Sequence, residues 1–93
     1  MSRPLNYSSS FERAFRKIVE KRPQLAEGII STLKDLSDDA FLPSLKTHKL
    51  RGELKHQWAC SAGYDLRIIF QFIKVGDQEV IHLLSIGKHE AVY

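Results

Sequence analysis

The sequence has a single cysteine, Cys60, so no internal disulfide can form and packing alone must hold the chain together. That usage fits a reducing cytosol, and a cytoplasmic location is expected. No apolar run approaches the length of a membrane span, and the N-terminus lacks the charged-then-apolar layout of a secretory signal. Glycine-rich phosphate loops are absent, which removes the usual basis for nucleotide hydrolysis. No pair of histidines, cysteines or carboxylates falls at ligand spacing on one helix or hairpin, and Glu53, Asp65, Asp77, Glu79 and Glu90 are scattered. We therefore expect neither a metal nor a cofactor. Repeats, low-complexity segments and linkers are also missing.

What is present suits one small domain. The 93 residues, 43% of them hydrophobic, fit a single core spanning 1–93. The net charge of +3 and pI near 9.2 tolerate a nucleic-acid partner without requiring one. Leu5, Asn6 and Tyr7 alternate as a short edge strand would. Ser8, Ser9 and Ser10 offer helix caps, and Ser9 with Glu12 spells a capping box. Phe11, Ala14, Phe15, Ile18 and Val19 recur at helical spacing among charged residues, which predicts an amphipathic helix. Pro23 ends it and can open the next, where Leu25, Ile29, Ile30, Leu33 and Leu36 continue the period.

After Pro43 the period drops toward two. Leu54, His56, Trp58 and Cys60 alternate with Lys55, Gln57 and Ala59, predicting a strand. Ser61 to Gly63 reads as a turn, residues 64–73 as a long strand, Val75 to Gln78 as a turn and Glu79 to Ser85 as a third strand. Two antiparallel helices followed by a meander predict an α+β fold, with the helices on one face of a small, mainly antiparallel sheet.

All four histidines fall in the sheet-forming half: His48, His56, His82 and His89. Histidine is suited to proton transfer near neutral pH. His48 sits in a basic stretch with Lys46, Lys49 and Arg51, where a solvated loop is the simplest explanation. His56 and His82 lie among apolar strand residues and read as structural. His89 follows Gly87 and Lys88, where glycine lets the chain turn and expose what comes next. Asp65 and Arg67 are two apart and share one strand face, while Tyr64, Leu66, Ile68, Phe70 and Phe72 take the other. Burying that charged pair is costly, so its face is expected to be open. The pair reads either as a salt bridge along the strand or as an arginine held out for phosphate. Cys60 lies within a strand-like run, a poor place for a nucleophile.

Three stretches in combination resemble the RelE/ParE superfamily of small toxins, in particular its RelE and YafQ ribonuclease branches. They are His48-Lys-Leu-Arg-Gly52, Tyr64-Asp-Leu-Arg-Ile-Ile-Phe70 and Ile86-Gly-Lys-His-Glu-Ala-Val-Tyr93. With the two helices ahead of them, the resemblance spans essentially the whole chain. It implies a RelE-like fold, a type II toxin–antitoxin system with a cognate antitoxin, and metal-independent cleavage of messenger RNA in the ribosomal A site. In the YafQ-like pattern His48, Asp65, His89 and Tyr93 fall on catalytic positions, and Arg67 matches the phosphate-binding arginine of the RelE-like motif. Lys49, Arg51, Lys55 and Lys88 are the implied RNA-binding helpers. Ser61 stands where YafQ-like toxins carry a further histidine, and Leu66 where a tryptophan follows the aspartate. The alternative is the ParE branch, which inhibits DNA gyrase by binding and has no nuclease chemistry.

Overall fold

The computed structural model describes residues 2–52, 56–63 and 65–88. In chain order these form β1 (Leu5–Tyr7), α1 (Ser9–Lys21), a one-turn 3-10 helix at Pro23–Leu25, α2 (Ala26–Asp38) and a second 3-10 turn at Pro43–Leu45. Then come β2 (His48–Lys49), β3 (Trp58–Ser61), β4 (Leu66–Val75) and β5 (Gln78–Lys88). The strands make a five-stranded sheet in the order β1-β5-β4-β3-β2. Only the β1–β5 pair is parallel. The architecture is thus α+β, with two helices and a mostly antiparallel sheet.

The cap of α1 falls on Ser8, one residue earlier than the Ser9–Glu12 pattern predicts. Ser8 Oγ accepts from the Phe11 amide at 3.0 Å, while the Ser8 amide donates to the Leu83 carbonyl at 3.1 Å. That link to β5 holds Ser8 in extended backbone, so the helix must begin just after it. Pro23 opens the 3-10 turn and α2 starts at Ala26, so the proline ends the first helix without opening the second. Leu54 and Lys55 lie outside the described residues. His56 is exposed in a turn and not inside a strand, because β3 starts only at Trp58. Within β3 both Ala59 and Cys60 are buried, since apolar side chains cover the sheet on both sides there.

The main core gathers Phe11 from α1, Ile29, Leu33 and Leu36 from α2, Cys60 from β3, Leu66, Ile68 and Phe70 from β4, and Ile81, Leu83 and Ile86 from β5. The alternate β4 residues predicted to pack on the helices do so. Tyr64, expected among them, lies outside the described residues. Arg67, Ile69, Gln71 and Ile73 take the opposite face by strand alternation. That face is not wholly bare, because Leu50, Ala59 and Ile69 form a small second cluster with Leu84 against it. Between Ile69 and Phe70 the β4–β5 register shifts, pairing Ile69 with Ser85 but Phe70 with Leu83. Leu84 is the extra residue, and this bulge lets both Leu83 and Ile86 reach the main core. The β4–β5 hairpin turns through Gly76 and Asp77, with Gly76 at φ 64, a conformation glycine adopts without strain.

Ile30, expected in the apolar stripe of α2, is 57% exposed, whereas Leu36 is 0%. Ile30 follows the buried Ile29 and is turned about 100° away from it around the helix. Leu36→Ala should therefore cost roughly 2–5 kcal/mol, and Ile30→Ala no more than about 0.5 kcal/mol. Urea denaturation of the two variants checks this, and equal midpoints would contradict the assigned burial.

Candidate functional site

Residues directly opposite one another in a sheet project from the same face. His48 pairs with Ala59, and Ala59 with Ile69. One row away, Ser61 pairs with Arg67, and Arg67 with Gly87. Ala59 and Ser61 are two apart, as are Arg67 and Ile69, so His48 and Arg67 share the face away from the main core. They stand two strands apart, about 9–10 Å across the sheet and about 7 Å along it. Ala59, Ser61 and Gly87 lie between and beside them. Ser61 and Gly87, small and partly exposed, flank Arg67, whereas Ala59 beside His48 is buried in the cluster with Leu50 and Ile69.

His48 belongs to the two-residue edge strand β2, entered from Lys46 in the left-handed conformation at φ 52. Its Nδ1 lies 2.9 Å from the Lys46 carbonyl oxygen. That oxygen can only accept, so Nδ1 is the donor and carries a proton. Arg67 is half-buried, and its Nη1 donates to the Leu66 carbonyl at 3.1 Å. No ion pair joins it to Asp65; among the described residues the salt bridge is Arg3–Glu79 at 2.6 Å.

Asp65 does not share the strand face with Arg67 as predicted. It is exposed in the bend just before β4 and lines a cavity of about 460 Å³ together with Lys21, Arg22, Leu66 and Lys88. Lys88 pairs with Leu66, a core-facing residue, and so belongs to that cavity and not to the His48 face. Lys49 also points to the core side, with its Nζ 5.7 Å from the centre of the Trp58 ring. Arg51 is exposed just past β2. His89, Tyr93 and Lys55 lie outside the described residues. The structure therefore brings His48 and Arg67 onto one face and gathers Asp65 and Lys88 round the end of β4.

No protein-family model and no curated protein matches the sequence. Solved structures do match. The likeness to the DinJ–YafQ toxin–antitoxin complex of E. coli has a TM-score of 0.74 at 21% identity, over 100% of this chain and 99% of that one. A YoeB/ParE toxin from Agrobacterium tumefaciens superposes with a TM-score of 0.76 at 14% identity, over 92% and 98%. A chain of the RelBE2 toxin–antitoxin complex from Mycobacterium tuberculosis gives 0.76 at 13%, over 96% and 100%. The fold is that of the RelE/YafQ-like toxins. Identities this low carry the fold and leave the chemistry to this chain's own residues.

Within this toxin fold the remaining candidates separate cleanly. His82 is half-buried on β5, and its Nδ1 accepts from Asn6 Nδ2 at 2.7 Å, which ties β1 to the sheet. Among the described residues no three of histidine, cysteine, aspartate and glutamate are placed so that they could hold a metal ion together. Ser61 and Gly87 were not singled out as candidates from sequence, since only the strand register places them beside the arginine.

Cys60 is completely buried on the core side of β3. Burial pushes its thiol from 9.0 up to about 12, with Arg67 and the Ile68 backbone pulling weakly the other way. A thiol so held stays protonated and unreactive. The stability that goes with the neutral thiol is fully present below pH 9.0 and is lost as pH rises toward about 12. Iodoacetamide at pH 8 should leave the folded protein unmodified and label the urea-unfolded chain. Rapid labelling of the native protein would show that Cys60 is accessible after all.

Proposed function

We propose that this protein is the toxin of a type II toxin–antitoxin system, a metal-independent, ribosome-dependent endoribonuclease with residues 1–93 acting as one toxin domain. The observation that carries the reading is the sheet face shared by His48 and Arg67, with the small residues Ser61 and Gly87 flanking the arginine. RNA supplies its own nucleophile, so the protein need only align the 2′-hydroxyl, move two protons and stabilise charge on phosphorus. His48 takes the proton from the 2′-hydroxyl as that oxygen attacks phosphorus. Asp65 is the other candidate base; its position off this face favours the histidine. Arg67 stabilises the charge that builds on the phosphoryl oxygens. The bond from phosphorus to the 5′-oxygen breaks, and His89, assigned by the sequence pattern, returns a proton to that oxygen. Tyr93, on the same basis, stacks on a base or lends its phenol to the leaving group. The products are a 2′,3′-cyclic phosphate and a 5′-hydroxyl end.

Arg51, Lys49, Lys55 and Lys88 hold the RNA backbone in this reading. Messenger RNA in the ribosomal A site is the substrate in this reading. A cognate antitoxin is the partner, which the YafQ and RelBE2 neighbours, each solved in a toxin–antitoxin complex, support. No helix among the described residues is long and apolar enough to cross a membrane.

Single-turnover cleavage of a ribosome-bound message tests the assignment. His48→Ala and Arg67→Ala should each slow it by roughly 10²–10⁴-fold, the usual worth of one acid–base or electrostatic group. Lys34→Ala, exposed on α2, should leave the rate unchanged. Wild-type rates in both site variants would remove the basis for the nuclease. Induction that damages DNA before it stops translation would favour the gyrase-directed ParE alternative. Cleavage of a message on ribosomes kept intact under chelation should also survive excess EDTA, and activity restored only by added divalent metal would contradict the mechanism.

A further inference from the structure

On the core side of the sheet, beside β2, three aromatic rings meet at the surface. Phe41 stacks on Phe72, with centroids 5.9 Å apart and planes 21° from parallel. It meets Trp58 edge-on at 5.6 Å, and Trp58 meets Phe72 edge-on at 5.3 Å. Despite these contacts Phe41 is 52% exposed, so a large part of a flat ring is left to water. Lys49 lies over the neighbouring Trp58 ring, and Lys46, Lys49 and Arg51 make no ion pair among the described residues.

We propose that Phe41 and Lys49 form a nucleobase-stacking subsite for single-stranded RNA next to the cleavage face. Single-stranded nucleic acids are held by aromatic platforms for bases and cations for phosphates, and this surface presents both. The subsite rests on the ribonuclease reading for its substrate and deepens it. His48 and Lys49 are consecutive on β2 and face opposite sides, so a strand lying against His48 rounds this two-residue edge to reach Phe41. Charge sets the strand's course. Phe41 itself also lines a cavity with Asp38, Asp39, Asp77 and Glu79, where Arg3 is the one cation among the described residues, and these carboxylates repel phosphate. The backbone therefore keeps to the Lys49 side and only the base reaches across to the ring.

Trp58 is the only tryptophan, so its fluorescence reports occupation of the neighbouring ring. The probes are an uncleavable 2′-O-methyl hexanucleotide and its abasic counterpart with the same backbone. The base-bearing probe should quench Trp58 and bind about tenfold tighter than the abasic one. Phe41→Leu should erase that difference and Phe41→Tyr should keep it, with melting curves verifying that each variant is folded. Lys49→Gln should lower the slope of log affinity against log salt by about 0.7, the value for one lost phosphate contact on a single strand. A Phe41→Leu variant that binds both probes like wild type would overturn the subsite. So would quenching by a basic peptide but not by RNA, which would make the patch a protein-docking surface. Cleavage is measured separately: quenching without cleavage removes the ribonuclease reading and spares the subsite, and normal cleavage without a Phe41 effect does the reverse.

Discussion

Cys60 sits opposite Ile68, and Ile68 opposite Ile86, in a row of apolar side chains that runs across three strands into the main core. That row fixes the register of the sheet. A slip by one residue would turn Ile68, Phe70, Leu83 and Ile86 out of the core and bring Arg67 into it. The transfer cost of even one fully buried large apolar side chain, about 1.5–3 kcal/mol, makes such a slip expensive. An uncompensated arginine in the core would add more. Everything on the other face inherits this constraint: Arg67 stands between Ser61 and Gly87, and His48 beside Ala59, because the core side of the same strands permits no other pairing.

The bulge at Leu84 and the short edge strands serve the same arrangement. By absorbing one extra residue, β5 keeps Leu83 and Ile86 on the core side while Ser85 and Gly87 stay on the other. Both edges are brief, three residues in β1 and two in β2, which limits pairing with foreign strands. β1 is tied down by more than its ladder, through Asn6 to His82 and through Ser8 to β5. The balance of charge also differs between the two ends of the sheet, although Asp65 sits among the basic groups and Arg3 among the acidic ones. Asp38, Asp39 and Asp77 gather near the β4–β5 hairpin, while Lys21, Arg22 and Lys88 lie toward the opposite end of β4, a distribution that steers a polyanion away from the hairpin.

Local patterns in the sequence carried the helices and the long strands well. Phe11, Ile29, Leu33 and Leu36 recur at helical spacing because each must face the same core, and the alternation from Leu66 to Phe72 reflects a strand with one covered face. Features decided by distant contacts were not legible. Ser8 caps α1 in place of Ser9 because β5, more than seventy residues away, holds it. His56 looked like a strand residue because period-two alternation extends past the point where pairing begins. The run Val80 to Leu84 gives no sign that its last leucine is a bulge. In the candidate site, His48 and Arg67 were legible as residue types and motif positions. Their common face was not, since it depends on two strand pairings that no local window contains. Asp65 misled for the opposite reason: its spacing from Arg67 implied a shared face, but β4 starts only at Leu66.

The central claim is that the RNA's own 2′-hydroxyl is the nucleophile, presented to a sheet face that supplies His48 and Arg67. Replacing the single scissile nucleotide of a ribosome-bound message by its 2′-deoxy counterpart tests this directly. The account predicts no cut at that position, with the unmodified message yielding a 2′,3′-cyclic phosphate and a 5′-hydroxyl end. Cleavage of the deoxy message at an undiminished rate would contradict it.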